Sequence, residues 1–78
     1  MLFVFPRAEK HDFWMRGMRF PLDIIWVSGG KVVYIERHID PASTETFRPN
    51  VVADQVIEVN AGAADQLKEG DRIEYYSE

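Results

Sequence analysis

Cysteine is absent from the 78 residues. That excludes disulfide staples, thiolate zinc sites, redox relays and a cysteine nucleophile. No apolar run approaches the roughly 20 residues of a membrane-spanning helix, and no basic end, apolar stretch and small-residue cleavage site marks a signal peptide. Basic charge is also in deficit: nine Lys and Arg against thirteen Asp and Glu leave a formal charge of -4. Nucleic-acid binders ordinarily carry a basic surplus that displaces counterions from phosphates, so that partner class is not expected. No glycine-rich loop precedes a helix to cradle a phosphate, and no serine or threonine sits in the strand-to-helix elbow of a hydrolase nucleophile.

What is there is apolar and aromatic. Hydrophobic residues make up 46% of the chain, with five Phe, two Trp and three Tyr. A chain this short forms one domain, residues 1–78, and buries only about 60% of the surface its unfolded form exposes. Its core must gain from dense packing, a ligand or oligomerisation. The aromatics crowd the front, at Phe3, Phe5, Phe13, Trp14, Phe20 and Trp26. Charge is uneven: residues 1–40 hold six basic and five acidic groups, residues 41–78 three and eight. Arg7, Lys10, Arg16 and Arg19 against Glu9 and Asp12 form a small positive island. It reads as a solvated loop, with an anion-contacting rim as the alternative.

Met1 to Phe5 is a continuous apolar run closed by Pro6, consistent with a central strand covered on both faces. Leu22 to Ser28 and Lys31 to Ile39 are β-branched and aromatic runs joined by Gly29-Gly30. That is a hairpin signature, because the tight turns need positive φ. Residues 40–54 read as a long loop, of the length that is usually functional, covering one opening of the fold. Gln55 to Val59 is a further strand, Asn60 a helix cap for residues 61–68, Gly70 the left-handed residue after that helix, and Asp71 to Tyr76 a last strand. The expected fold is α+β and predominantly β: a small antiparallel barrel or strongly curved sheet of five to six strands, with one short helix.

A two-residue Gly-Gly loop sets Asp23 opposite Glu36, with His38 further along the same face. Like charges directly across a strand pair repel. An arginine (Arg16 or Arg19), a raised carboxyl pKa, or a metal held by Asp23, Glu36 and His38 would compensate, and two splayed, solvated carboxylates need no compensation at all. Glu58 alternates with Val56 and Asn60, which puts it beside the expected helix start in a structural role. His11 reads as an exposed loop histidine.

Five segments resemble the prokaryotic family catalogued as domain of unknown function 192. They are Met-Leu-Phe-Val-Phe-Pro (1–6), Phe-Trp-Met (13–15), Pro-Leu-Asp-Ile-Ile-Trp (21–26), Val-Ile-Glu-Val-Asn-Ala-Gly (56–62) and Glu-Gly-Asp-Arg-Ile (69–73). The resemblance spans nearly the whole chain. It implies a small β-rich fold without an assigned activity, and it points to Trp14, Met15, Asp23, Glu58, Asn60, Gly62, Gly70 and Asp71. Two departures stand out. Arg16-Gly17-Met18-Arg19 replaces an Asn-like polar residue after Phe-Trp-Met, and relatives carry a further segment before the Met-Leu-Phe run.

Trp14, Met15, Asp23 and Glu58 are therefore the candidate ligand-binding residues. The leading expectation is a non-enzymatic binding module for a small polar molecule or peptide, without a cofactor. The alternatives are a metal-assisted hydrolase using Asp23, Glu36 and His38, and an interaction or homo-oligomerising domain with exposed strand edges. Apolar surface near Met1 to Phe5 should then be covered by a second copy, a partner or a loop. The compartment expected is the cytoplasm for a complete chain, or an exported location if an upstream signal was removed.

Overall fold

The computed structural model describes residues 2–10, 13–14, 20–42, 46–47 and 50–73. They form β1 (Leu2–Glu9), β2 (Phe13–Trp14), β3 (Leu22–Ser28), β4 (Lys31–Ile39), β5 (Thr46–Phe47) and β6 (Ala53–Asn60). Four strands build one antiparallel sheet in the order β1-β6-β3-β4, and β2 pairs with β5 in a two-residue ribbon. The fold is thus β-dominated, and among the described residues the sheet is open.

The strand covered on both faces is β3, not β1. Leu22 to Val27 are all buried, including Asp23. Leu22, Ile24 and Trp26 face one cluster with Ile39, Ala53 and Val56, onto which Phe3, Phe5 and Tyr34 pack. Ile25 and Val27 face the other, with Val32, under Ile57, Leu67 and Ile73. Alternation at period two sends successive side chains of one strand into two cores. Each such aliphatic or aromatic side chain fully removed from water contributes about 1.5–3 kcal/mol. Trp26 and Tyr34 meet edge to face, with ring centroids 5.4 Å apart.

Among the described residues β1 lies at the edge of the sheet, correcting the expectation of a central strand. Phe3 and Phe5 turn inward, whereas Leu2 is 46% and Val4 65% exposed. Its register with β6 slips between Val4 and Glu9, the stretch that contains Pro6. At the opposite edge the closing segment runs along the start of β4. Val32 N–H donates to Asp71 O, Gly70 N–H to Val32 O and Ile73 N–H to Gly30 O, each at 2.8 Å. Only the front of the expected last strand is seen, as an Arg72 bridge to Lys31; residues 74–76 lie outside the described part.

The expected helix over 61–68 is replaced by turns, and no described residue is helical. Ala63 N–H donates to Asn60 O, Asp65 N–H to Gly62 O and Leu67 N–H to Ala64 O. Gly62 supplies the reason: at φ +90 it leaves the α region, and its N–H goes to the Asp23 side chain. Gly70, at φ +91, does occupy the left-handed position that the sequence requires.

Candidate functional site

Asp23 enters the site from the start of β3, where alternation points it at the turns after β6. It is fully buried. Oδ1 accepts the backbone N–H of His38 at 2.7 Å and Oδ2 that of Gly62 at 3.2 Å. One carboxylate therefore ties β3 to β4 and to the 60–67 turns. Hydrogen bonds from backbone amides replace the water that a buried charge would otherwise lose.

The expected Asp23–Glu36 pairing does not occur. Val27 pairs with Val32 as expected, but Trp26 pairs with Tyr34, Ile24 with Glu36 and Leu22 with Ile39. β4 has absorbed two extra residues, one at Val33 and one at Arg37–His38. The second bulge sits opposite Asp23. His38 there takes φ 52, the conformation that glycine favours in such bulges and that His tolerates better than most residues. The bulge is what turns the His38 N–H toward the carboxylate.

Beyond it, Arg37 donates from Nη1 to Ala64 O at 2.9 Å and from Nη2 to Leu67 O, so a single fork holds two turn carbonyls. Asp65 Oδ1 lies 3.8 Å from Arg37 Nη1 and 3.5 Å from His38 Nε2.

The register also creates a row that runs across three strands. Ile24 is opposite Glu36 on one side and Glu58 on the other, so both carboxylates flank it on the Trp26 face. Two residues away from Glu36 on that face stands Tyr34. Burial, and after it the Glu36 carboxylate, raises the Tyr34 pKa above 10.0, and Glu69 adds to the shift.

At the end of this face, where β3 begins and β6 ends, an open pocket of about 320 Å³ is lined by Phe20, Pro21, Asn60 and Ala61. Three links hold its two walls together. Leu22 pairs with Asn60, Ala61 N–H donates to Pro21 O at 3.1 Å, and Gly62 N–H donates to Asp23. Phe20 is 68% exposed and Asn60 is exposed beside it.

The structure thus separates the sequence candidates. Asp23 is a scaffold residue behind the pocket, and Glu58 stands two residues before Asn60 on the same strand. Trp14 belongs to β2, opposite Thr46; its side chain and all of Met15 lie outside the described part, as do Arg16 and Arg19. Asp23, Glu36 and His38 do not converge: Glu36 is on the face opposite Asp23, and the His38 ring is beside Asp65. No group of three or more His, Asp or Glu side chains among the described residues is placed to hold a metal ion. Phe20 and Pro21 line the pocket without having been candidates in the sequence, where Phe20 counts only as one of the front aromatics.

Two solved structures share this fold. A protein of unknown function from Novosphingobium aromaticivorans matches at a TM-score of 0.86 and 31% identity, over 96% of this chain and 56% of its own. A Sinorhizobium meliloti protein, named as a candidate transcription regulator, matches at 0.85 and 28% identity, over 92% of this chain and 58% of its own. The chain therefore spans just over half the length of either. No curated protein matches it. The family model of domain of unknown function 192, described as "Uncharacterized ACR", matches residues 1–75, and the chain belongs to that family.

Proposed function

We propose that the chain is a small-ligand-binding module whose site is the pocket between residues 20–21 and 60–61. One observation carries the reading: the pocket is preorganised. Its walls come from two segments locked by a strand pair, a backbone hydrogen bond and the buried Asp23 carboxylate, so little ordering remains to be done when a ligand arrives. Glu58 stands two residues before Asn60 on β6, and Trp14 ends β2, six residues ahead of Phe20 in the sequence. In the same reading the two bulges in β4 and the register slip in β1 curve the sheet toward a small barrel, with the pocket at one opening.

A hydrolase built on Asp23, Glu36 and His38 draws no support, since both Asp23 oxygens are committed to backbone amides. Nor does the net charge of -4 favour the phosphate contacts of a DNA-binding regulator. A second reading rests on Leu2 and Val4, whose exposure on an edge strand suits contact with another chain or copy.

Native mass spectrometry of protein purified from its source tests the leading reading. A retained small molecule that is lost on Phe20→Ser is the expected result. A protein that carries none, and whose Phe20, Ala61 and Gly62 amides stay put in a screen of small polar fragments, would overturn it.

A further inference from the structure

The chemistry of the pocket narrows its ligand. Among the described residues, the lining of Phe20, Pro21, Asn60 and Ala61 carries no charge. An ion entering it would give up hydration and gain no countercharge from these four residues. Two backbone acceptors beside it are already used, because Pro21 O receives Ala61 N–H and Asn60 O receives Ala63 N–H. Among the described lining residues the one polar side chain is the Asn60 amide, which donates and accepts at once. Next to it stands Phe20, an aromatic ring 68% exposed, and beside that Pro21. The volume, about 320 Å³, is at the small end of the roughly 300–1,000 Å³ of small-molecule sites.

A ligand complementary to these walls is neutral and has an apolar face for Phe20 and Pro21. At its edge it needs neighbouring donors and acceptors for the amide. A pyranose ring has both, with axial C–H groups on one face and paired hydroxyls around the rim. Extended peptides fit less well, because they need a groove that runs along several residues, whereas this pocket is bounded by two short segments. We propose that the pocket binds a neutral sugar, with Phe20 as the stacking platform and Asn60 as the residue that reads adjacent hydroxyls. This rests on the binding-module reading and adds the ligand class.

The test is an amide-shift titration of the ¹⁵N-labelled chain. The sugar probes are methyl glucoside, methyl galactoside, N-acetylglucosamine and a β-linked disaccharide. Ethylammonium, acetate and an N-acetylproline amide serve as the cation, anion and peptide probes. Saturable shifts confined to Phe20, Ala61, Gly62 and their neighbours with at least one sugar are expected. Phe20→Ala and Asn60→Ala should each weaken that sugar roughly tenfold. Both residues are exposed, and the remaining cross-peaks report whether either variant is still folded. Tighter binding of the disaccharide points to the end of a glycan, and equal binding to a free sugar; both support the proposal. If the ion or peptide probes move these amides and no sugar does, the sugar assignment fails while the binding reading stands. If nothing moves them, both fail.

Discussion

The Asp23 carboxylate accepts the backbone N–H of His38 at 2.7 Å, and it does so inside the sheet with no solvent exposure. With its second oxygen on Gly62 N–H, it is the cross-link between β3, β4 and the pocket wall. Truncation would leave two part-buried donors without their acceptor. Asp23→Ala is expected to cost about 3 kcal/mol and Asp23→Asn, which keeps one acceptor, about half as much. Urea unfolding measures both, and a cost under about 1 kcal/mol for Asp23→Ala would show that water satisfies these amides instead.

The partner residue makes an independent prediction. His38 holds φ 52, where a Cβ normally costs about 1–2 kcal/mol. Its ring contributes little in return, since the contact with Asp65 is between side chains 60% and 56% exposed. His38→Gly should therefore leave stability equal or raised, although the freer unfolded chain offsets part of the gain. His38→Val should lose about 2 kcal/mol, because a β-branched residue tolerates the left-handed region least. Thermal melts of the pair give the comparison, and equal melting temperatures for Gly and Val would remove the strained bulge from the account.

These two residues also show what was legible in the sequence. The hairpin was readable because Gly29-Gly30 can do little else, and Val27 pairs with Val32 as a tight turn dictates. The pairs further down were not, because a bulge leaves no composition signal unless it uses glycine, and here His38 takes that place. The other inserted residue, at Val33, moved Glu36 from Asp23 to Ile24 and emptied the acidic cluster. The Glu36–Ile24–Glu58 row was equally invisible, since it depends on β6 lying beside β3, a long-range choice. For residues 61–68 the Asn60 cap and Gly70 pointed to helix, and the long-range bond from Gly62 to Asp23 outweighed them. The pocket escaped because Phe20 and Asn60 are 40 residues apart and act as a site only through the β3–β6 register.

Tyr34 sets an alkaline limit on stability. Its folded pKa is raised above 10.0 by burial and by Glu36, so the folded state keeps the phenol proton more tightly than the unfolded chain does. The stabilisation is complete below pH 10.0 and is lost as pH rises through the folded value. Stability measured by urea unfolding should fall above that pH in the wild type and fall less steeply in Tyr34→Phe. Tyrosinate absorbance should show one tyrosine titrating late. Superimposable alkaline profiles for the two proteins would rule out this role for the hydroxyl.

On β1, adjacent residues should respond in opposite ways. Phe3 packs on the Trp26 core, whereas Val4, one position on, is 65% exposed. Phe3→Ser removes a partly buried ring from the Trp26 core, and is expected to cost about 2 kcal/mol. Val4→Thr keeps the β-branched shape and should change the stability of the isolated chain by less than about 0.5 kcal/mol. Val4→Lys puts a charge on the edge and separates the folding role of the strand from any role in association. Light scattering at rising concentration should show the wild type associating and Val4→Lys monomeric, with both unfolding at the same urea midpoint when dilute. If both stay monomeric, exposed Leu2 and Val4 are an ordinary apolar edge, and the contact reading of β1 is wrong.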